Sequence, residues 1–137
     1  MNTYTFEELN VGMTESFTVT VTEQMMDAFT RLSGDVNPLH CDERYAVESG
    51  FPGRVVYGML TASFYSTLAG VYLPGERSIL QSVDSKFRSP VYIGDTLTVT
   101  GKISEKNDTF RMITVKAEII NPDGKKVSKA TLQVGVR

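Results

Sequence analysis

The chain has 137 residues, a formal net charge of −2, and a composition that is 41% hydrophobic and 22% charged. A chain of this length and apolar content can bury its own core, so we expect residues 1–137 to form a single domain. The composition excludes disordered, collagen-like and coiled-coil proteins, and the slight acidity gives no general electrostatic footprint for nucleic acid.

Cys41 and His40 are the only cysteine and the only histidine in the sequence. A single cysteine cannot form an internal disulfide, and these two residues cannot supply the ligands of a zinc site, so we expect no metal. The first residues contain neither the basic cluster nor the apolar stretch of a signal peptide. Together with the free thiol, this favours the cytoplasm.

The first third of the chain predicts a strand followed by two helices. Alternating apolar residues predict the strand over 15–21. Thr22 is then placed to cap a helix whose apolar residues recur at helical spacing. Gly, Asp, Asn and Pro crowd together over 33–38, which predicts a loop, and a second short helix is expected over 42–49.

Residues 55–75 form the longest apolar segment and contain no charged side chain. About 20 apolar residues can span a bilayer, so a membrane helix has to be considered. The segment nevertheless contains tyrosines, serines, threonines and glycines, and no basic clusters flank it. It therefore predicts a helix buried inside its own protein, with no part in a membrane.

The second half of the chain predicts a run of antiparallel strands joined by short turns. The strands are expected over 78–88, 96–103, 110–120 and 127–136, and the turns at 94–95, 107–108 and 121–124. In the first of these strands Ile79, Val83 and Phe87 are candidates for core contacts. The alternation slips near residues 112–113, which predicts a local irregularity there.

A helix run followed by a strand run predicts an α+β fold. Because the central helix is apolar on most sides, it needs a sheet that curves around it. This is the hot dog fold, a curved antiparallel sheet wrapped around one long central helix. A single such subunit leaves a sheet edge open and part of the helix uncovered, which favours a homodimer with paired edge strands, or an assembly of such dimers.

Asp35 and His40 are the residues best suited to catalysis. They lie five positions apart, and a turn through Asn37-Pro38 would bring them together. A carboxylate beside an imidazole forms a general acid/base pair, and the carboxylate would also hold the ring in one tautomer. The alternative is structural: Asp35 closes an Asx turn, and His40 satisfies a nearby backbone carbonyl.

The segment Gly34-Asp35-Val36-Asn37-Pro38-Leu39-His40 resembles the signature of the (R)-specific enoyl-CoA hydratases, which are also called MaoC-like dehydratases or hydratase 2. The similarity continues through residues 55–63, which include Tyr-Gly-Met-Leu, and through Pro-Val-Tyr-Ile-Gly-Asp at 90–95. It extends over nearly the whole chain, so no part is left to form a second domain.

This resemblance implies the hot dog fold, a homodimer and no metal or organic cofactor. It also implies that Asp35 and His40 are catalytic, that the backbone amide of Gly58 polarises the thioester, and that Ser66 lies near the catalytic pair. Asn37 corresponds to the asparagine of the motif and is expected to contact the substrate.

At one position the chain departs from the family, because Tyr57 stands where histidine is frequent. A phenol then replaces an imidazole among the residues expected to bind substrate. Tyr57, Tyr65, Tyr72 and Met59 either line an acyl tunnel or pack in the core.

The implied reaction is the (R)-specific hydration of a trans-2-enoyl-CoA to an (R)-3-hydroxyacyl-CoA, a step of fatty acid metabolism, and the reverse dehydration. An acyl carrier protein is the alternative carrier of the acyl group. An acyl-CoA thioesterase and a non-catalytic acyl-CoA-binding protein are the alternative functions. Lys86, Arg88, Lys125 and Lys126 are either contacts for CoA phosphates or solvated surface residues.

Overall fold

The computed structural model describes residues 1–137 and contains one five-stranded antiparallel sheet with the strand order β1-β3-β4-β5-β2. The strands are β1 (Thr14–Thr20), β2 (Ser78–Phe87), β3 (Thr96–Asn107), β4 (Met112–Ile120) and β5 (Lys126–Val136). The helices are α1 (Glu23–Ser33), α2 (Pro38–Cys41), α3 (Glu43–Glu48) and α4 (Gly58–Thr67), and a π-helical turn (Leu68–Tyr72) extends α4. None of these helices has the length and apolar character needed to cross a bilayer.

The helix caps follow from the local sequence. The Thr22 hydroxyl accepts a hydrogen bond of 3.2 Å from the backbone N–H of Met25, as predicted for the start of α1. Gly34 ends this helix in the left-handed conformation (φ 74°) that favours glycine. The Asp42 side chain accepts from the Tyr45 N–H and starts α3. The Gly34 cap fixes the start of the loop that carries Asp35.

The inner face of the sheet packs on α4 and its π-helical extension. Tyr65 is fully buried, and its hydroxyl donates to the Ser128 hydroxyl of β5 at 2.8 Å. Leu68 lies so close to Gly101 of β3 that a Cβ at position 101 would be 2.7 Å from the leucine Cδ2. The hot dog fold predicted from the sequence is thereby confirmed, although the helix is shorter than the apolar segment 55–75.

One side of the central helix remains uncovered. Met59 of α4 is 66% exposed, and Ile79, Val83 and Phe87 of the edge strand β2 are exposed as well. The predicted core contacts of these three strand residues are therefore wrong for the single chain. Val83 and Phe87 lie on the inner face, paired with the buried Leu132 and Ser128 of β5. A bulge between Leu80 and Ser82 reverses the alternation, so Ile79 stands on the outer face opposite Gly135.

The irregularity expected near residues 112–113 lies on the neighbouring strand instead. The register between β3 and β4 shifts between Ile103 and Glu105, which leaves Ser104 as the extra residue. Thr114 and Val115, next to this bulge, are both buried, which breaks the alternation seen in the sequence. The predicted turn at 121–124 is confirmed, with Gly124 at φ 77°.

Candidate active site

A cavity of about 340 Å³ opens to solvent where α4 begins. His40 of α2 and Gly58, the first residue of α4, both line it. Phe87 and Arg88 at the end of β2 form another part of the wall, and Thr61 lies one turn along the helix. Most of the remaining lining is apolar, so the cavity combines a few polar groups with a hydrophobic surface, as ligand sites commonly do.

The His40 ring is held by the backbone. Its Nδ1 lies 2.7 Å from the carbonyl oxygen of Val55. A carbonyl only accepts, so Nδ1 carries the hydrogen and Nε2 is left free for other chemistry. The His40 carbonyl in turn accepts 2.7 Å from Nε of Arg54, whose guanidinium also pairs with Glu23 and Asp27 of α1. The ring and the backbone of His40 are thus each held by a hydrogen bond.

Asp35 and Asn37 lie on the exposed loop between α1 and α2. Asp35 Oδ1 accepts from the Asn37 N–H at 3.0 Å, and Asn37 Oδ1 accepts from the Leu39 N–H at 3.0 Å to cap α2. Each side chain therefore spends one oxygen on holding the loop in shape. The second carboxylate oxygen of Asp35 and the amide nitrogen of Asn37 make no hydrogen bond within the protein.

The structure places no hydrogen bond between the Asp35 carboxylate and the His40 ring. The tautomer of the ring is set by the Val55 carbonyl, so the prediction that the carboxylate sets it is wrong. Both residues keep a free polar atom after their structural bonds are made. The structural reading and the catalytic reading are therefore compatible with each other.

Tyr57 contacts both Asp35 and His40. Its hydroxyl donates to the backbone carbonyl of Asp35 at 2.6 Å and lies 2.7 Å from Thr30 Oγ1 and 3.2 Å from Cys41 Sγ. Its ring lies 4.2 Å from the ring of His40, centroid to centroid. Burial, and next the hydrogen bond with Cys41, raises the pKa of Tyr57, so the phenol remains a donor at neutral pH.

The Tyr57 side chain is buried and does not line the cavity, so its contacts with Asp35 and His40 are structural ones. The prediction that it binds substrate receives no support from its geometry. Tyr65 is likewise a core residue, hydrogen-bonded to Ser128, whereas Tyr72 is half-buried against the core and stacks on Phe17 with centroids 4.8 Å apart.

Replacing Tyr57 by Phe should lower kcat about 10-fold with little change in KM, because the Asp35 loop loses its anchor while the cavity keeps its walls. The variant should also lose roughly 1–3 kcal/mol of stability, since the Asp35 carbonyl loses its donor. Tyr65→Phe is the matched control: it removes a buried hydroxyl remote from the loop and should lower stability but not kcat. Equal kcat values for both variants would show that the Tyr57 hydroxyl has no part in positioning.

The start of α4 has an electrostatic preference for negative charge. No side chain caps this helix, and the first N–H groups of a helix have no intrahelical acceptor. These donors and the helix dipole favour an anion at this end. Gly58 leaves the backbone accessible from the cavity that also contains His40. The His40 imidazole and the backbone N–H groups at the start of α4 therefore line the same cavity.

Ser66 does not line the cavity. It lies eight residues beyond Gly58, about 12 Å along the helix, on the exposed side together with Met59 and Ser63. The single chain therefore does not bring Ser66 to His40. Sequence analysis also missed Arg54, for which nothing but its place before the apolar segment gave a signal.

Three comparisons relate the chain to known proteins. Residues 8–123 match the family model described as "MaoC like domain". The chain is 38% identical over 137 aligned positions to the (R)-specific enoyl-CoA hydratase of Rhodospirillum rubrum, with 96% of this chain and 92% of that protein covered.

Solved structures show the same fold. The (R)-hydratase from Aeromonas caviae involved in PHA biosynthesis superposes with a TM-score of 0.92 at 30% identity, covering 96% of this chain and 99% of that one. The unliganded R-hydratase PhaJ1 from Pseudomonas aeruginosa also gives a TM-score of 0.92 at 30% identity, covering 96% and 84% of the two chains. Similarity in sequence and in structure thus points to the same group of proteins.

Proposed function

This chain belongs to the MaoC-like domain family, and from that premise we propose that it catalyses the (R)-specific hydration of a trans-2-enoyl-CoA to an (R)-3-hydroxyacyl-CoA, and the reverse dehydration. The observation that carries the proposal is the cavity at the start of α4. It places the His40 imidazole beside uncapped helix N–H groups, and Tyr57 ties the Asp35 loop to the ring of His40.

The hydration needs a base for water, a donor for C2 and a stabiliser of the developing enolate. In the proposed mechanism water lies between Asp35 and His40, and the free carboxylate oxygen of Asp35 accepts its proton as the hydroxyl adds to C3. Protonated His40 delivers a proton from Nε2 to C2, because Nδ1 is bonded to the Val55 carbonyl. One proton transfer from Asp35 to His40 then restores the pair.

The thioester oxygen becomes negative as water adds. We assign its stabilisation to the backbone N–H of Gly58, since preorganised donors at a helix N-terminus suit a developing oxyanion. Because the hydroxyl and the proton both come from the side of the Asp35/His40 pair, they add to one face of the double bond. The (R) configuration at C3 requires in addition that the substrate present the corresponding face of its double bond to this pair.

Hydration of crotonyl-CoA is the direct test of this function. Loss of the conjugated-thioester absorbance, with no free thiol in a parallel sample, is the expected result. Release of CoA thiol would instead identify a thioesterase. Binding of crotonyl-CoA without either signal would indicate a non-catalytic protein. If only crotonyl-acyl carrier protein were hydrated, the natural carrier of the acyl group would be an acyl carrier protein and not CoA.

We also propose that the functional unit is a homodimer. The β2 edge is unpaired, Val83 and Phe87 expose apolar surface there, and Met59 of α4 is exposed as well. A second copy that pairs its own β2 would satisfy the edge and cover this surface. Phe87 lines the His40 cavity, so such pairing would also enclose the open side of the site.

Sedimentation of the purified protein should therefore give the mass of a dimer. Val83→Lys should shift the mass toward that of a monomer, because a charge would have to be buried in the interface. Leu32→Lys is the control, since Leu32 is exposed on α1 and is not part of the β2 edge. A monomeric wild type, or an equal effect of the two substitutions, would contradict the proposal.

The location of the protein is a further part of the proposal. Cys41 is the only cysteine, and its thiol is free. Free thiols persist in reducing compartments, so we propose the cytoplasm as the place of action. Fractionation of cells that produce the protein, followed by immunodetection, tests this assignment.

A further inference from the structure

A second concave surface lies on the outer face of the sheet, away from α4. It is a groove of about 410 Å³, referred to below as the outer groove. Its polar lining consists of Asp84 and Lys86 of β2, Arg88 just after β2, Lys116 of β4, and Lys129 and Thr131 of β5.

The outer groove holds four cationic side chains against one carboxylate, in a chain whose net charge is −2. Lys86 and Lys129 are direct partners in the register of β2 and β5. Like charges opposite each other on one face destabilise a sheet. Glu118, which stands opposite Lys129 on β4, forms its ion pair with Lys126 instead, at 3.0 Å.

None of the ion pairs in the structure includes a cation of the outer groove. Lys116 donates to the Thr131 hydroxyl at 3.0 Å, which orients its ammonium group but leaves the charge uncompensated. The sheet therefore carries a local excess of positive charge that its own carboxylates do not neutralise. An anionic ligand would remove this repulsion.

Arg88 connects the outer groove to the candidate active site, since it lines both the groove and the His40 cavity. In an acyl-CoA the thioester and the phosphates lie at opposite ends of the pantetheine arm. With the thioester at Gly58, the phosphates must lie outside the cavity. The groove that begins at Arg88 offers them cationic partners.

We propose that the outer groove binds the pyrophosphate and 3′-phosphate of CoA while the acyl thioester occupies the His40 cavity; this inference rests on the proposed function. Of the basic residues that the sequence suggested as phosphate contacts, Lys86 and Arg88 line the groove. Lys116 and Lys129 line it as well. Lys125 and Lys126 do not line it. Because alternate side chains of a strand face opposite sides, pairing of β2 edges would cover Phe87 and leave Lys86 accessible.

The test compares crotonyl-CoA with crotonyl-pantetheine, which lacks the nucleotide phosphates. The double variant K86E/K129E should lower kcat/KM for crotonyl-CoA about 10-fold, mainly through KM, because each exposed ion pair is individually modest. Turnover of crotonyl-pantetheine should be unchanged, which also shows that the variant is folded. K102E/K125E is the matched control, since both lysines are exposed and lie outside the groove, and it should leave both substrates unaffected.

An unchanged kcat/KM for crotonyl-CoA in K86E/K129E would overturn the proposal, as would an equal loss with both substrates. A loss of kcat/KM seen only when the crotonyl group is carried by an acyl carrier protein would also overturn the proposal. The groove would then be a docking surface for the carrier protein. If the wild type turned over neither thioester, the proposed function would be wrong. Calorimetric titration with free CoA would then test the groove separately from catalysis. Equal affinities of wild type and K86E/K129E for CoA would contradict the proposal that the groove binds its phosphates.

Discussion

Replacing Asp35 by Asn should lower kcat for crotonyl-CoA hydration at least ~10²-fold and leave the fold intact, since general acid/base groups contribute about 10²–10⁴-fold. The amide keeps an oxygen that can accept from the Asn37 N–H, so the loop retains its Asx turn. What it loses is the basicity of the free carboxylate oxygen. Kinetics with crotonyl-CoA, together with thermal unfolding, measures both effects.

Asp42→Asn provides the matched control for this substitution. Asp42 is exposed on the neighbouring loop and uses one oxygen to cap α3 through the Tyr45 N–H. The same isosteric change there should preserve kcat. If the Asp35 variant were equally active, the carboxylate would have only the structural role of closing the turn.

The histidine partner can be tested without disturbing its anchor. In His40→Asn the side-chain amide nitrogen can replace Nδ1 as the donor to the Val55 carbonyl, while Nε2 is removed. We expect a loss in kcat of at least ~10²-fold. A double variant no slower than either single variant would show that the two residues act as a unit, whereas multiplied losses would show that they act independently.

Local patterns were enough to predict most of the elements. Thr22 caps α1 because a threonine before a helical apolar pattern has one N–H within reach, and this depends on neighbouring residues alone. The alternation in β1 and β5 likewise reports a strand with one buried face. The cluster of Gly, Asp, Asn and Pro over 33–38 predicted the loop, and the resemblance over residues 55–63 placed Gly58 at the start of the central helix. That residues 1–137 form one domain stays a prediction.

Features set by contacts between distant segments could not be predicted. The tautomer of His40 depends on the Val55 carbonyl, 15 residues away, and the loop depends on the hydroxyl of Tyr57. Neither contact has a periodic signal in the sequence. The bulge that turns Ile79 outward depends on the pairing of β2 with β5. The alternating pattern of apolar residues in the sequence does not show where one residue will be left unpaired.

The exposed side of α4 explains a further difference. A helix that is apolar on most sides predicts burial on most sides, yet Met59 is exposed in the single chain. The proposed second copy would account for this surface, and it would also set the surroundings of Ser66. The role of Ser66 is therefore a question about the assembled dimer, and it stays a prediction.

Gly58→Ala should lower activity while it preserves or raises stability, whereas a core substitution lowers stability. Gly58 does not adopt a positive φ, so alanine fits the backbone, and its higher helix propensity should preserve or raise stability by up to about 1 kcal/mol. The added Cβ would nevertheless lie 3.3 Å from the Phe87 ring and enter the cavity beside the backbone N–H. We expect kcat/KM to fall about 10²-fold, the loss typical of displacing a substrate from a preorganised donor.

Two further variants identify the cause of that loss. Gly70→Ala is the control, because a Cβ there would meet only Ser78 Oγ at 3.9 Å, an ordinary contact outside the cavity, and kcat/KM should be unchanged. Combining Gly58→Ala with Phe87→Leu removes the ring atoms that the Cβ would contact. If the double variant stays slow while Phe87→Leu alone keeps its activity, the Cβ blocks the approach of the thioester to the Gly58 N–H, as the mechanism requires. Full activity of Gly58→Ala alone would show that the substrate does not approach this backbone amide.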